Sequence, residues 1–143
     1  MHEPLTTYLK LCTEFYELDK PHSSTSDEFL FYMDYAQQAR GPILEPMCGT
    51  GRFLIPMLQL GLDIEGFDAS SHMLEVLRNK YASLSNQQAP AWQQFLQDFV
   101  SDKRYSLIFI PFGSWGLILD RNDMQHCLET LYRHLAPGGT LLL

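Results

Sequence analysis

An α/β fold, doubly wound around a mostly parallel sheet and carrying an N-terminal helical cap, is predicted by three observations along these 143 residues. A short apolar run, Ile43 and Leu44, ends on Glu45 and breaks into a tight turn through Gly49 and Gly51; a buried strand passing into a helix beside a ligand has this form. From there, strand-like runs and segments of helical period alternate along the chain, and such alternation gives a parallel sheet with helices on its faces. Acids also recur at successive strand ends, Glu45, Asp68 and Asp98. Parallel strands bring such tips into one row at the sheet's carboxyl edge, where ligands bind.

Residues 1–42 read as the cap and 43–143 as the core of one structural domain. In the cap, Leu5, Tyr8, Leu9, Cys12 and Tyr16 fall at helical spacing and fade at Glu17 to Pro21. A second helix is announced by Ser26 as N-cap with Asp27 and Glu28 in its first turn, and is stopped by Arg40, Gly41 and Pro42. The core opens with a strand at Ile43 to Glu45. The helix after the glycine turn runs to Gln59 with Gly61 as its terminator; Pro56 is comfortable there only if that helix starts near Phe53. A second strand at Ile64 to Asp68 precedes a helix from Ser71 that buries Met73, Leu74, Leu77 and Tyr81 on one face.

A third strand is expected near Trp92 to Gln97, and the stretch from Phe99 to Tyr105 is short for a full helix. Leu107 to Phe112 is the most apolar run and predicts a central strand buried on both faces. Met124, Leu128, Leu131 and Leu135 mark the inward face of a further helix, and Pro137, Gly138 and Gly139 form a turn into a fifth strand at Thr140 and the leucines after it.

Ten Lys and Arg against 17 Asp and Glu give a formal charge of -7, which disfavours a nucleic-acid or anionic-membrane partner and favours a small-molecule ligand. No apolar run approaches the ~20 residues of a membrane span, and a cytoplasmic location is expected. Cys12, Cys48 and Cys127 are odd in number without metal-ligand spacing, so reduced, mostly buried thiols are expected. His22, His72, His126 and His134 likewise show no ligand spacing, and no metal is expected.

Known phosphate signatures fail in the glycine turn. The third glycine of a dinucleotide fingerprint is replaced by Leu54, and the Lys-Ser/Thr of a phosphate loop by Arg52 and Phe53. The row of carboxylates suits a nucleoside without phosphate: Asp68 to accept from two ribose hydroxyls, Asp98 from an exocyclic adenine amine. Each acid has a plainer reading as a turn or capping residue, and the glycines as parts of an ordinary strand-to-helix turn. Phe112 and Trp115, after the central strand, line the substrate side or simply pack.

Taken together, ILEPMCGTGRF (Ile43 to Phe53), GFDASSHML (Gly66 to Leu74) and LAPGG (Leu135 to Gly139) resemble three motifs of the class I S-adenosylmethionine (SAM)-dependent methyltransferases, whose sheet is Rossmann-like. The resemblance covers Ile43 to Leu143. It implies SAM as cofactor and S-adenosylhomocysteine (SAH) as product. Met47, Cys48, Gly49, Thr50 and Gly51 would pass under the methionine part, Asp68 would hold the ribose, and Gln97, Asp98 and Phe99 would surround the adenine. Tyr16 is similar to an aromatic that related small-molecule methyltransferases fold over the cofactor. Glu45, Arg52, Ala69, Met73 and Pro111 complete the expected cofactor set; Arg52 would reach the methionine carboxylate or else remain a solvated helix-start residue.

This sequence departs from the family pattern at Met47, which replaces its first glycine, and at Ser106, which replaces an acid. After the central strand it has Ile110-Pro111-Phe112-Gly113 in place of the Asp/Asn-Pro-Pro-aromatic grip on planar amines, so such substrates are disfavoured. Methyl transfer needs in-line approach and desolvation more than a dedicated base; none is named, although Tyr16 and His22 belong to the cap expected near the methyl group. The expected function is methyl transfer to a small-molecule acceptor. Its rivals are a catalytically inert SAM-binding or interaction module and, on weaker grounds, an NAD-dependent oxidoreductase. Relative to the family, the chain is truncated in the fifth strand, which predicts an exposed edge and self-association through it.

Overall fold

The computed structural model describes residues 8–19 and 26–143; Leu5 and His22 lie outside them. Helices α1 (Lys10–Asp19) and α2 (Asp27–Gln38) precede β1 (Ile43–Pro46), α3 (Leu54–Gln59), β2 (Ile64–Asp68), α4 (Ser71–Ser85), β3 (Ala91–Gln93), β4 (Tyr105–Phe109), α5 (Arg121–His134) and β5 (Leu135–Leu142). The five strands are all parallel, in the order β3-β2-β1-β4-β5. Chain order reverses beside β1, so the carboxyl ends of β1, β2 and β4 surround a topological switch point.

Residue alternation along the strands feeds two cores. Ile43, Leu107 and Phe109 face one side with α2, α3 and α4, while Leu44, Ile108 and Ile110 face the other with Cys127 and Leu131 of α5. Helix α2 starts where Ser26 accepts from the Phe29 N–H, and it buries Phe29, Tyr32, Met33 and Ala36 in the first core. Phe53, 1% exposed, sits among Phe29, Tyr32, Phe109 and Phe112 with ring centroids 5.0–6.0 Å away. This aromatic cluster anchors the end of the glycine turn. Pro56 is the third residue of α3, and its missing N–H leaves the Arg52 carbonyl without the helical donor that Ile55 and Met57 give to Gly51 and Phe53.

Five expectations are corrected. The third strand stops at Gln93 because its single neighbour, β2, ends opposite at Asp68; Leu96–Asp98 then form a 3-10 turn. The central strand is Tyr105–Phe109, closing before Pro111, which has no N–H to give a neighbour. Helix α5 buries Cys127, Thr130, Leu131 and His134 and leaves Leu128 39% exposed, so its inward face is rotated from the expected one, and the Pro137–Gly139 turn is absorbed into β5 as a register shift. In α1 the inward residue is Thr13, whereas Cys12 is exposed and Leu11, Phe15 and Leu18 are 67–83% exposed. The helix is held by polar contacts instead. Among the described residues no helix is long and apolar enough to cross a membrane.

Candidate functional site

A cleft opens over the switch point, walled by the ends of four strands and by Tyr8 and Tyr16 from the N-terminal segment. At the end of β2 the Asp68 carboxylate accepts from the Gly49 N–H through Oδ2 and from the Ser70 N–H through Oδ1, each at 2.8 Å. Ser70 in turn caps α4 by accepting from the Met73 N–H, and its hydroxyl donates to the Tyr8 carbonyl. Asp68 therefore ties the glycine turn, the start of α4 and the N-terminal segment together. Burial raises its pKa, against the pull of the two N–H groups. Both oxygens keep a second lone pair for a ligand.

Glu45, at the end of β1, is 2% exposed, and its Oε2 has no hydrogen-bond partner among the described residues. Burial, and then the charge of Asp68, push its pKa well above the ordinary 4.5, opposed by the Leu54 N–H. An orphaned buried carboxylate oxygen lining a cleft is suited to a cation or donor brought by a ligand. Cys48 beside it is buried with its thiol pKa pushed well up, chiefly by burial, so it stands as a neutral wall group.

Because its folded pKa is raised, Glu45 holds a proton in the fold that the unfolded chain has already released. Its contribution is most favourable below pH about 4.5 and declines as pH rises toward the folded value. Glu45→Gln is expected to remove this decline: urea midpoints of wild type and variant, compared across pH 4 to 8, should separate progressively in the variant's favour. Parallel pH profiles would contradict the assignment.

Three non-glycine residues of the cleft wall, Tyr8, Met47 and Phe112, have positive φ (56°, 58° and 58°); the fourth such residue described, Asn86, is the C-cap of α4. Strained backbone gathered at one cleft is a mark of a functional site. Met47 holds here the left-handed conformation that a glycine would hold at no steric cost.

Of the expected cofactor residues, the cleft is lined by Tyr16, Glu45, Met47, Cys48, Gly49, Arg52, Asp68, Ala69, Met73, Gln97 and Pro111. Four expected residues stand elsewhere. Thr50 is 1% exposed, and its hydroxyl donates to Glu17 of α1, whose other oxygen takes the Lys80 ammonium at 2.8 Å. Gly51 faces Leu77 and Ile55. Asp98 is exposed on the 3-10 turn and does not line the cleft, since β3 ends five residues before it. Phe99 is 3% exposed and packs in the second core on Phe67 and His134, at 4.8 and 4.6 Å.

At the β3 end the wall is made instead by Gln94, Phe95 and Leu96 beside Gln97, which sequence reasoning missed by running the strand too far. Tyr8, Phe53, Ser114, Leu117 and Ile118 were also missed. Phe112 lines the cleft, whereas Trp115 packs against the second core. Among the described residues no group of His, Cys, Asp and Glu could hold a metal.

Residues 43–139 match a family model described as a methyltransferase domain. The dTDP-3-amino-3,4,6-trideoxy-alpha-D-glucopyranose N,N-dimethyltransferase of Streptomyces venezuelae is 27% identical, over 90% of this chain and 57% of that protein. The structure is similar to the CcbJ methyltransferase from Streptomyces caelestis, with TM-score 0.71 and 29% identity over 80% of this chain and 47% of that one. It is also similar to the glycopeptide N-methyltransferase MtfA complexed with SAM, with TM-score 0.66 and 27% identity over 86% and 57%. The chain spans about half the length of these relatives.

Proposed function

We propose, because this chain belongs to the methyltransferase-domain family that its residues 43–139 match, that it binds SAM in the cleft and directs its methyl group to a small-molecule acceptor. The family assignment sets aside the nicotinamide reading. The observation that carries the proposal is the pair Glu45 and Asp68: an orphaned carboxylate oxygen beside the glycine turn, and a carboxylate that braces that turn while keeping lone pairs toward the cleft. SAM brings a cationic ammonium, a sulfonium and two ribose hydroxyls, and these residues fit them.

SAM, when bound, supplies an electrophilic methyl on a positively charged sulfur. Glu45 would hold the positive methionine end, whose charge favours the ionised carboxylate that burial disfavours. Asp68 accepts from the ribose hydroxyls without releasing Gly49. Gln94 to Gln97 receive the adenine at the β3 end, while Tyr8, Tyr16 and Phe112 exclude water where the acceptor approaches. The acceptor's alignment supplies most of the rate, and no side chain is required as base.

The dTDP-amino-sugar relative supports an amine on a small non-planar scaffold as acceptor, in keeping with the Ile-Pro-Phe-Gly sequence after the central strand and the net charge of -7. The test is transfer of labelled methyl from SAM to a panel of amino sugars, aliphatic amines, thiols and hydroxyls. Label appearing on an amine of the panel is the expected result. SAH binding with no transfer to any member would support the rival inert cofactor-binding module.

A further inference from the structure

Against the cofactor cleft lies a second cavity of about 450 Å³, bounded by α2, α3 and α4, and the two share the wall residues Arg52, Phe53 and Phe112. Its lining is mainly apolar, including Phe29, Ile55 and Leu84, and its size falls within the range of small-molecule pockets. Two cations stand in this wall. Lys80 is paired with Glu17 of α1. The guanidinium of Arg52 lies 4.2 Å from the centroid of the Phe112 ring, and no carboxylate or carbonyl partner for it is found among the described residues.

A guanidinium stacked on a ring keeps its N–H edge directed outward in a fork that matches a carboxylate. With one cation neutralised by Glu17, the wall offers a single positive charge over an apolar chamber. Phe112 is itself held through its backbone, since its N–H donates to Glu28 of α2 at 3.1 Å, so the stacking platform does not depend on Arg52.

We propose that this second cavity is a binding site for a small apolar monocarboxylate, its carboxylate bridging the Arg52 guanidinium and its hydrocarbon body lying against Phe29, Ile55 and Leu84. The site adjoins the methyl-transfer cleft without using Glu45 or Asp68, and it assigns Arg52, which lines both, to the second cavity. A ligand seated there forms part of the cleft's wall and can occupy the protein together with SAH.

The test titrates 3-phenylpropanoate and its neutral isostere 3-phenylpropanamide into the full chain, with and without saturating SAH, and follows binding by NMR. The acid should bind at least about tenfold more tightly than the amide, the effect of one charge-assisted bidentate contact, and SAH should leave this preference in place. Arg52→Gln should reduce it to within about twofold. Leu84→Trp, which places a large ring at the 59% exposed rim of the cavity, should abolish binding of both probes while SAH affinity stays within about twofold of wild type. Equal affinity for acid and amide, or no binding of either, would overturn the proposal. So would displacement of the acid by SAH, which would assign Arg52 to the cofactor's own carboxylate, or unaltered probe binding in Leu84→Trp.

Discussion

Asp68→Ala is expected to lose both cofactor affinity and fold stability. Its carboxylate accepts two backbone N–H groups at 2.8 Å, and stranding buried donors costs about 1–3 kcal/mol each. A loss of ~2–6 kcal/mol in unfolding free energy follows, because Asp68 is a structural brace as well as the proposed ribose ligand. Removing two hydroxyl-to-carboxylate bonds should weaken SAH by a further ~2–4 kcal/mol, about 30- to 1000-fold. Asp68→Asn keeps one acceptor oxygen but turns an NH₂ toward the other N–H, so it should fall between wild type and alanine in both readouts. Urea unfolding and calorimetric SAH titration measure the two effects separately. An alanine variant with the wild-type urea midpoint would show that Gly49 and Ser70 do not depend on this carboxylate.

Gly51→Ala should destabilise the fold by a similar amount for a different reason. The residue has φ +84°, and an added Cβ would lie 2.9 Å from Leu77 Cγ and 3.0 Å from Ile55 side-chain carbons. The left-handed conformation costs a non-glycine residue about 1–2 kcal/mol, and overpacking a closed core adds about 1–3 kcal/mol. The total, ~2–5 kcal/mol, corresponds to a fall in Tm on the order of 10 °C. Gly49→Ala is the matched comparison: its φ is +55°, but nothing lies within 4 Å of the added atom, so only the conformational cost applies. Thermal melts should therefore rank wild type above Gly49→Ala above Gly51→Ala. Equal losses in the two variants would show that packing against Leu77 and Ile55 is not what requires a glycine at 51.

That contrast also marks how far the sequence could be read. The glycine turn, the Ser26 and Ser70 starts of their helices and the buried face of α4 were legible because each is set by residues within a few positions of one another. Asp98 and Phe99 were misplaced because the length of β3 is fixed by where β2 ends, a neighbour distant in sequence. Helix α1 was read as apolar-side-in from Leu9, Cys12 and Tyr16, yet it is positioned by Glu17 on Thr50 and Lys80, partners 33 and 63 residues away that no local period reveals. The division of labour between Gly49, toward the cleft, and Gly51, toward the core, depends on which side of the turn faces α4. The isolation of Glu45 Oε2 was likewise illegible, since a strand-end acid looks the same in sequence whether or not its neighbours satisfy it.

Thermal unfolding of this chain with SAH, and separately with NAD, tests most directly whether the cleft is a SAM site. At a SAH concentration near 100 times Kd, binding should stabilise the fold by ~2.7 kcal/mol, a rise in Tm on the order of 5–10 °C, and NAD should leave the melt in place. A melt that SAH does not move, or that NAD raises in its stead, would contradict the account.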